Sequence, residues 1–354
     1  TGGHMTPARA LGQDLISRGF RVEVITDTRG EKFSQLFNGM PMHVVRAGTL
    51  GKGFAGKING LMNLGLGILK ARSIVKRLKP AVVIGFGGYP SVPGVYAAQK
   101  LGIPTIIHQS DGVIGKANDF LAPKAERIAL TFPNTVGLDE GEKIRSIITG
   151  SPVRPEISAL YTQPYPTPKP DGTLRILIMG GSLGARVLSE VVPKALSMLN
   201  TDHKQRLKIV QQCREEDLDN VRKIYEDAHI DATLKTFFDD VPEQLSKAHL
   251  VIARSGASTV SEVTVAGRPA IFVPASYHKD QQQKINADSV ADAGGAWVMA
   301  EQGFTPEALM ARIETFLQNP ANLFKAAENA RSCGKPDAAR KLGNLVTAIA
   351  SGWS

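Results

Sequence analysis

The sequence is short of cysteine, of long apolar runs and of any nucleic-acid signature. Its two cysteines, Cys213 and Cys333, cannot build a disulfide framework or a cysteine-rich metal site, and they fit a reducing cytoplasm. No run of 18 uninterrupted apolar residues occurs, so no transmembrane helix is predicted. Neither an initiator Met nor a charged-then-apolar leader opens the chain, and no secretory signal is expected. Zinc-finger spacing, an aromatic RNA-binding signature and a long basic helix are all missing, so nucleic acid is not expected as a partner.

What is present is an ordinary globular composition, 42% apolar and 21% charged over 354 residues, with length for two domains. This excludes disorder, collagen and coiled coil. The formal charge of +9 lies wholly in the first half: residues 1–150 hold 19 Lys and Arg against 10 Asp and Glu, and the remainder holds 23 of each sign. Such a half should seek phosphate or an anionic membrane surface.

Short β-branched runs alternate with helical segments, the pattern of parallel sheets in α/β domains. Strands are predicted at Arg21–Thr26, His43–Arg46, Ala81–Gly85, Thr105–His108 and Arg127–Thr131, with helices near Pro7–Arg18, Ile58–Leu78, Pro93–Lys100 and Lys116–Leu121. A second series follows from Leu174, with strands at Arg175–Met179, Lys208–Gln211, His249–Ala253 and Ala270–Val273. Between them, alternating prolines in Tyr161–Thr173 predict a surface loop near a domain boundary. The fold class is α/β, two doubly wound parallel-sheet domains facing each other. Such a domain opens on a strand, whereas this sequence opens on Thr1-Gly2-Gly3-His4. That strand either lies ahead of Thr1 or has been lost, and the first is expected.

Candidate sites gather where predicted strands end. Thr1-Gly2-Gly3-His4 runs into the helix from Pro7, a residue favoured in a first turn. Its glycines let backbone approach a ligand, and His4 has the pKa range of a base. A plain turn with a capping His reads as well. Asp27 stands where a ribose carboxylate can sit, or is a turn residue. Phe86-Gly87-Gly88-Tyr89-Pro90-Ser91 and His108-Gln109-Ser110-Asp111, with Asn118 beyond, close two more strands; tight turns and helix capping are the competing readings.

Gly180-Gly181-Ser182-Leu183-Gly184-Ala185-Arg186 can cradle a phosphate on backbone N–H groups and the Ser182 hydroxyl. Arg254-Ser255-Gly256-Ala257-Ser258-Thr259-Val260-Ser261-Glu262 repeats the plan, its small residues admitting a diphosphate and Glu262 accepting ribose hydroxyls. Asp280-Gln281-Gln282-Gln283 and Asn286 supply amides suited to sugar hydroxyls. Asp217-Leu218-Asp219 resembles a metal-holding Asp-x-Asp pair but reads as a solvated helix face, so no metal site is expected. Ile58, Leu61, Met62, Gly65, Leu66 and Leu69 share one helical face, and Leu64 and Ile68 add apolar surface off it. Lysines and arginines flank the helix (Lys52, Lys57, Lys70, Arg72, Lys76, Arg77 and Lys79), so the surplus suits an interfacial membrane contact or an ordinary crossover helix.

Six of these segments stand in one order: Thr1–His4, Gly87–Ser91, Ser151–Arg154, Gly180–Arg186, Arg254–Glu262 and His278–Asn286. Together they resemble the MurG family of bacterial peptidoglycan glycosyltransferases over nearly the whole chain. The resemblance implies a GT-B fold, with an acceptor- and membrane-facing domain over 1–155 and a UDP-sugar-binding domain over 156–337. A last helix, about 338–354, would cross back to the first domain.

The implied reaction is inverting, metal-independent transfer of N-acetylglucosamine from UDP to the 4-hydroxyl of undecaprenyl-diphosphate-linked N-acetylmuramoyl-pentapeptide. It needs no cofactor, and takes place at the cytoplasmic face of the inner membrane on a peripheral enzyme. Ser182, Arg154 and Ala257, Ser258, Thr259, Val260, Ser261 and Glu262 would hold UDP, with Phe238 beside the uracil. Gln282 and Gln283 would bind the donor sugar. Thr1, Gly2, Gly3, Tyr89 and Asn118 would face diphosphate and acceptor, and His4 would take the proton. The family's pattern His-Glu-Gln-Asn is replaced here by His108-Gln109-Ser110-Asp111, so a base role for that Glu is gone and the Asn contact to the donor sugar falls to Asp111. Competing readings are another GT-B enzyme (a UDP-sugar 2-epimerase or glycolipid transferase) and a non-catalytic UDP-sugar-binding protein. A nicotinamide dehydrogenase fits two nucleotide-type loops poorly.

Overall fold

The computed structural model describes residues 2–48, 54–181, 184–277 and 280–352, and the side chains of 54–58 are outside that description. Thr1, Ser182, Lys52, His278 and the side chains of Lys57 and Ile58 therefore lie outside the described residues. The chain divides into two compact units, Thr1–Arg154 with Asp337–Ser354, and Pro155–Pro336.

The first unit begins with α1 (Gly2–Ser17), β1 (Val24–Thr26), α2 (Thr28–Glu31), β2 (Met42–Val44), α3 (Phe54–Leu78) and β3 (Val83–Gly85). It continues with α4 (Val92–Lys100), β4 (Thr105–Gln109), α5 (Lys116–Leu121), β5 (Arg127–Leu130), α6 (Glu140–Ile144) and β6 (Ser146–Ile148). The second unit holds α7 (Pro155–Ser158), β7 (Leu174–Met179), α8 (Arg186–Ser197), α9 (Thr201–Gln205), β8 (Leu207–Gln212), α10 (Leu218–Asp227) and β9 (Asp231–Lys235). After these come α11 (Val241–Lys247), β10 (Leu250–Ala253), α12 (Ala257–Val265), β11 (Ala270–Phe272), α13 (Gln282–Ala291), β12 (Ala296–Val298), α14 (Pro306–Gln318) and α15 (Ala321–Cys333). The final helix, α16 (Ala338–Ala350), returns to the first unit. There Arg18 of α1 donates to Asn344 Oδ1 at 2.8 Å and to the Arg340 carbonyl at 3.0 Å.

All sheets are parallel. The second unit carries six strands in the order β12-β11-β10-β7-β8-β9. The first carries β3-β4-β5-β6 and, separately, the pair β1-β2. Strands β6, β9 and β12 were not predicted. β6 is an edge with Ile147 and Ile148 exposed, β9 reads polar, and β12 is three residues long after a glycine pair. β1 is shorter than the predicted Arg21–Thr26, as it pairs on one side only.

One expectation needs correcting, and two readings left open are narrowed. Gly2, Gly3 and His4 are helical from the start of α1, and Pro7 stands inside the helix rather than in its first turn. Asp27 is a helix cap: its carboxylate accepts the N–H groups of Arg29 and Gly30 at 3.1 and 3.0 Å and pairs with the Arg29 guanidinium. The face of α3 that packs inward is made not by the apolar stripe but by small residues. Gly60, Gly67 and Ala71 are buried with Ile74 and Val75, and a Cβ on Gly67 would lie 1.8 Å from the Arg46 carbonyl oxygen. Leu64 packs partly buried against the core below, whereas Leu61, Met62, Leu66 and Leu69 face outward, 45–65% exposed. Among the described residues no helix is long and apolar enough to cross a membrane.

Candidate active site

In the second unit the strand order reverses between β7 and β10. In open parallel sheets ligands bind beyond the carboxyl ends of the strands at such a reversal. Both predicted nucleotide loops fall there. After β7, a Cβ on Gly180 would lie 2.3 Å from Ala185 N, and Gly181 and Gly184 hold φ of +80° and +68°, so these three positions call for glycine. Gln212, closing β8, pins it: its Oε1 accepts the Gly180 N–H at 3.0 Å and its Nε2 donates to the carbonyls of Gly181 and Thr236 at 2.9 and 3.2 Å. The sequence offered only an amide at a strand end, and Gln212 was not singled out.

After β10, α12 opens at Ala257 with no side-chain cap. The Val260 N–H already closes on the Gly256 carbonyl at 3.0 Å, so the amides left open by the helix are those of Ala257, Ser258 and Thr259. They sit at the positive end of the helix dipole, an anion site in waiting. Val260 falls outside that set, since its side chain is buried in the core and its N–H is used. Ser261 and Glu262 are also buried, whereas Ser258 and Thr259 are half-buried.

The loop is bonded to α13: Ser255 Oγ donates to the Gln283 carbonyl at 2.7 Å, Asn286 Nδ2 donates to the Ser255 carbonyl at 3.0 Å, and Gln283 Oε1 accepts the Ala275 N–H at 2.9 Å. Gln282 and Gln283 are half-buried. Arg254 is structural, donating to the Val273 carbonyl at 3.0 Å and to Glu301 at 2.9 Å. Burial works to raise the Glu301 carboxyl, but the bonds from Arg254 and then Ser276 bring it down to about 2. The Phe238 ring is buried, with the Lys235 ammonium 5.9 Å from its centroid, while Phe237 beside it is exposed. Asp217 caps nothing and is half-buried near Arg186, and only Asp219 fits the expected solvated face. Among the described residues no three His, Cys, Asp or Glu gather as a metal site.

In the first unit the glycine pair after β3 meets the start of α1. Gly87 and Gly88 hold φ of +89° and +69°. A Cβ on Gly87 would lie 3.4 Å from His4 Nε2 and 3.5 Å from Asn118 Nδ2, so the imidazole and the amide converge over bare backbone. Tyr89 follows, half-buried, and Ser91 Oγ donates to the Gly88 carbonyl at 2.8 Å. Burial holds His4 below its ordinary pKa while the Asp111 carboxylate pulls it up, so its neutral, proton-accepting form prevails at neutral pH. Arg154, half-buried, is the last residue of this unit's main stretch.

The stretch from His108 to Asp111 divides by role. His108 is fully buried, its Nε2 3.2 Å from the Gly150 carbonyl and its Nδ1 3.4 Å from Ser110 Oγ, and burial takes it down to about 4. Gln109 donates to the carbonyls of Asp111 and Val113 at 2.9 and 2.8 Å. It accepts from Asn118 Nδ2 at 2.8 Å and from Gly115 N at 3.3 Å. Both are scaffold, and Asp111 is half-buried.

Two doubly wound units with glycine loops at strand ends define the class of nucleotide-sugar glycosyltransferases of the GT-B fold. Residues 1–130 match the glycosyltransferase family 28 N-terminal domain and residues 175–342 its C-terminal domain. The chain is 49% identical over 350 residues to the UDP-N-acetylglucosamine–N-acetylmuramyl-(pentapeptide) pyrophosphoryl-undecaprenol N-acetylglucosamine transferase of Rhodospirillum centenum, covering 99% of this chain and 92% of that one. It is 45% identical to the protein of the same name from Paramagnetospirillum magneticum, covering 99% and 94%. Among solved structures, MurG of Acinetobacter baumannii superposes with a TM-score of 0.78 at 32% identity over 98% of this chain and 96% of that one. UDP-GlcNAc 2-epimerase from Neisseria meningitidis, at 15% identity and a TM-score of 0.66 over 97% of each chain, shares the fold. The chain belongs to glycosyltransferase family 28 and, within it, to the MurG family.

Proposed function

We propose that this protein transfers N-acetylglucosamine from UDP-N-acetylglucosamine to the 4-hydroxyl of the muramoyl sugar in undecaprenyl-diphosphate-N-acetylmuramoyl-pentapeptide, with inversion. The observation that carries the reading is 49% identity across 99% of the chain to a transferase of that name. The second unit supplies the donor's seat: the amides of Ala257, Ser258 and Thr259 and the Gly180–Arg186 loop hold the diphosphate, Glu262 the ribose, and Gln282 and Gln283 the sugar. Arg154 and the α12 N-terminus stabilise the charge that develops on departing UDP. In the first unit, His4 accepts the proton of the attacking hydroxyl, with Asn118, Tyr89 and the backbone of Gly2, Gly3 and Gly87 orienting the acceptor.

The outward stripe Leu61, Met62, Leu66 and Leu69, followed by Lys70, Arg72, Lys76 and Arg77, supports a peripheral seat on an anionic membrane face. The decisive experiment follows radiolabelled N-acetylglucosamine from UDP into a short-chain lipid-linked muramoyl-pentapeptide. Lipid-linked disaccharide is expected, and UDP binding with no turnover would point to a binding protein instead. Epimerised UDP-sugar formed without acceptor would point to the epimerase.

A further inference from the structure

The carboxyl end of β8 supports two loops of the second unit at once. β8 lies between β7 and β9, and among the described residues β9 pairs with β8 alone. Register sets Gln212 opposite Lys235 at the last step of the β8–β9 ladder, and the Cys213 N–H closes on the Lys235 carbonyl at 2.9 Å. The residues past Lys235 therefore continue from a strand paired on one side. Gln211 and Gln212 point to opposite faces by strand alternation. Gln211, fully buried, accepts the Tyr225 hydroxyl on its Oε1 at 2.5 Å, which fixes the end of β8 in place.

Gln212, 6% exposed, divides its amide between both loops. Its Oε1 accepts the Gly180 N–H, and the two hydrogens of its Nε2 reach the Gly181 carbonyl at 2.9 Å and the Thr236 carbonyl at 3.2 Å. The amide is planar, so the three bonds share one plane. A turn of the amide that follows one loop pulls on the other, and a flip would set its oxygen against two carbonyls. Gly180 and Gly181 have no side chains with which to hold their own place. Past β9 the chain is closed on itself, with Lys235 Nζ donating to Asp240 Oδ1 at 3.3 Å and lying 5.9 Å from the Phe238 ring centroid. A shift at Thr236 therefore carries this segment with it.

We propose that Gln212 is a positioning residue that couples the two halves of the donor nucleotide: ordering the loop at Gly180 and Gly181 favours ordering of the segment from Thr236 to Phe238, and the reverse. The resemblance seats uracil beside Phe238, two residues past Thr236, and the diphosphate reaches the Gly180 loop. Once one loop holds the amide in its plane, the bond to the other forms without a second loss of freedom, so the second half of the nucleotide meets a site already set. Gln212 acts through backbone, since its polar atoms are engaged by Gly180, Gly181 and Thr236. The proposal rests on the reading of this end of the sheet as the donor's seat.

Uridine and inorganic pyrophosphate serve as the two halves in the test. Each is titrated alone and against a saturating amount of the other, and amide hydrogen exchange is read on the same samples. In the parent, each is expected to tighten the other by the same factor, at least about threefold. Uridine alone should slow exchange of the Gly180 amide at least about threefold, although it brings no phosphate. Gln212→Met, of similar length but without donor or acceptor, should erase the mutual tightening and leave the Gly180 amide indifferent to uridine. A purely structural role would weaken both halves in Gln212→Met and leave their coupling intact. Independent binding in the parent, or coupling that survives in Gln212→Met, would overturn the proposal and leave the donor's seat standing. Should Gln212→Met fail to fold, the parent's coupling factor and Gly180 exchange decide alone. No binding of either half or of UDP would remove the donor's seat and the proposal with it.

Discussion

Asn118 Nδ2 donates to Gln109 Oε1 at 2.8 Å, and the same Gln109 side chain donates to two backbone carbonyls, so the amide that lies over Gly87 is fixed by one that needs both its donor and its acceptor ends. Gln109→Glu keeps the acceptor end and turns the other oxygen toward the carbonyls of Asp111 and Val113. The carboxyl must then stay protonated to bond one of them, which raises its pKa in the fold above the unfolded value of about 4.3. A group raised in the folded state keeps its stability below the unfolded pKa and loses it as pH rises. Gln109→Glu is expected to lose one carbonyl bond at every pH and, relative to its own stability at pH 4.5, a further roughly 1–3 kcal/mol at pH 8. Thermal unfolding at both values checks this. A deficit that does not change with pH would mean the carboxylate finds other donors.

His4 is held low by burial and drawn up by Asp111, and the balance is measurable as the acid limb of kcat/KM. That limb is expected below pH 6.5, where His4 takes up its proton. Asp111→Asn removes the carboxylate that favours the charged imidazole, so the limb should move to lower pH. His4→Ala should lower the plateau at least about tenfold and abolish the limb. An unmoved limb in Asp111→Asn would detach Asp111 from His4, and a limb persisting in His4→Ala would assign the base elsewhere.

The parts of this molecule that sequence makes legible are those decided by neighbours along the chain. Gly180 and the Gly87-Gly88 pair mark their loops because backbone geometry at a strand end demands glycine, and α12 announces itself by small polar residues after an apolar strand. Spatial direction is different. The apolar stripe of α3 reads in sequence as a surplus outer surface or as an ordinary crossover face, and it is the close approach of Gly67 to the Arg46 carbonyl that leaves Leu61, Met62, Leu66 and Leu69 outward. Gln109 reads as an amide near a ligand, and only its two carbonyl partners show it to be scaffold. Val260 sits inside the nucleotide motif, but helical phase sends it to the core.

Arg268 depends on the same non-local logic. Its guanidinium, 1% exposed, donates to the carbonyls of Leu245 and Ser246 at 2.6 and 3.1 Å and of Ala266 and Gly267 at 2.8 and 3.3 Å. One side chain thus closes the ends of both α11 and α12, the helix that offers the open amides. Arg268→Met takes the side-chain donor from the carbonyls of Ser246, Ala266 and Gly267 and leaves that of Leu245 only the Ala248 N–H at 3.3 Å, and should cost at least about 3 kcal/mol in urea unfolding. Arg268→Lys, with a single ammonium unable to reach both helices, should fall between. A loss under about 1 kcal/mol for Arg268→Met would show that water satisfies these carbonyls.

Gly180 tests the donor loop without touching a charged group. A methyl there meets the Ala185 nitrogen at 2.3 Å and the Gly184 carbonyl carbon at 2.7 Å, both backbone, so Gly180→Ala must push the loop open rather than rotate a side chain aside. The Gln212 bonds that pin Gly180 and Gly181 stretch with it. If the loop carries diphosphate contacts, UDP affinity measured by calorimetry should weaken at least about tenfold, or about 1.4 kcal/mol. Gly303→Ala is the control, since an added Cβ there meets nothing within 4 Å and the residue is far along the chain from any loop at the strand reversal. UDP affinity should be unchanged in Gly303→Ala. Equal affinities in the two variants would remove the Gly180 loop from the donor site and leave the α12 N-terminus to hold the diphosphate alone.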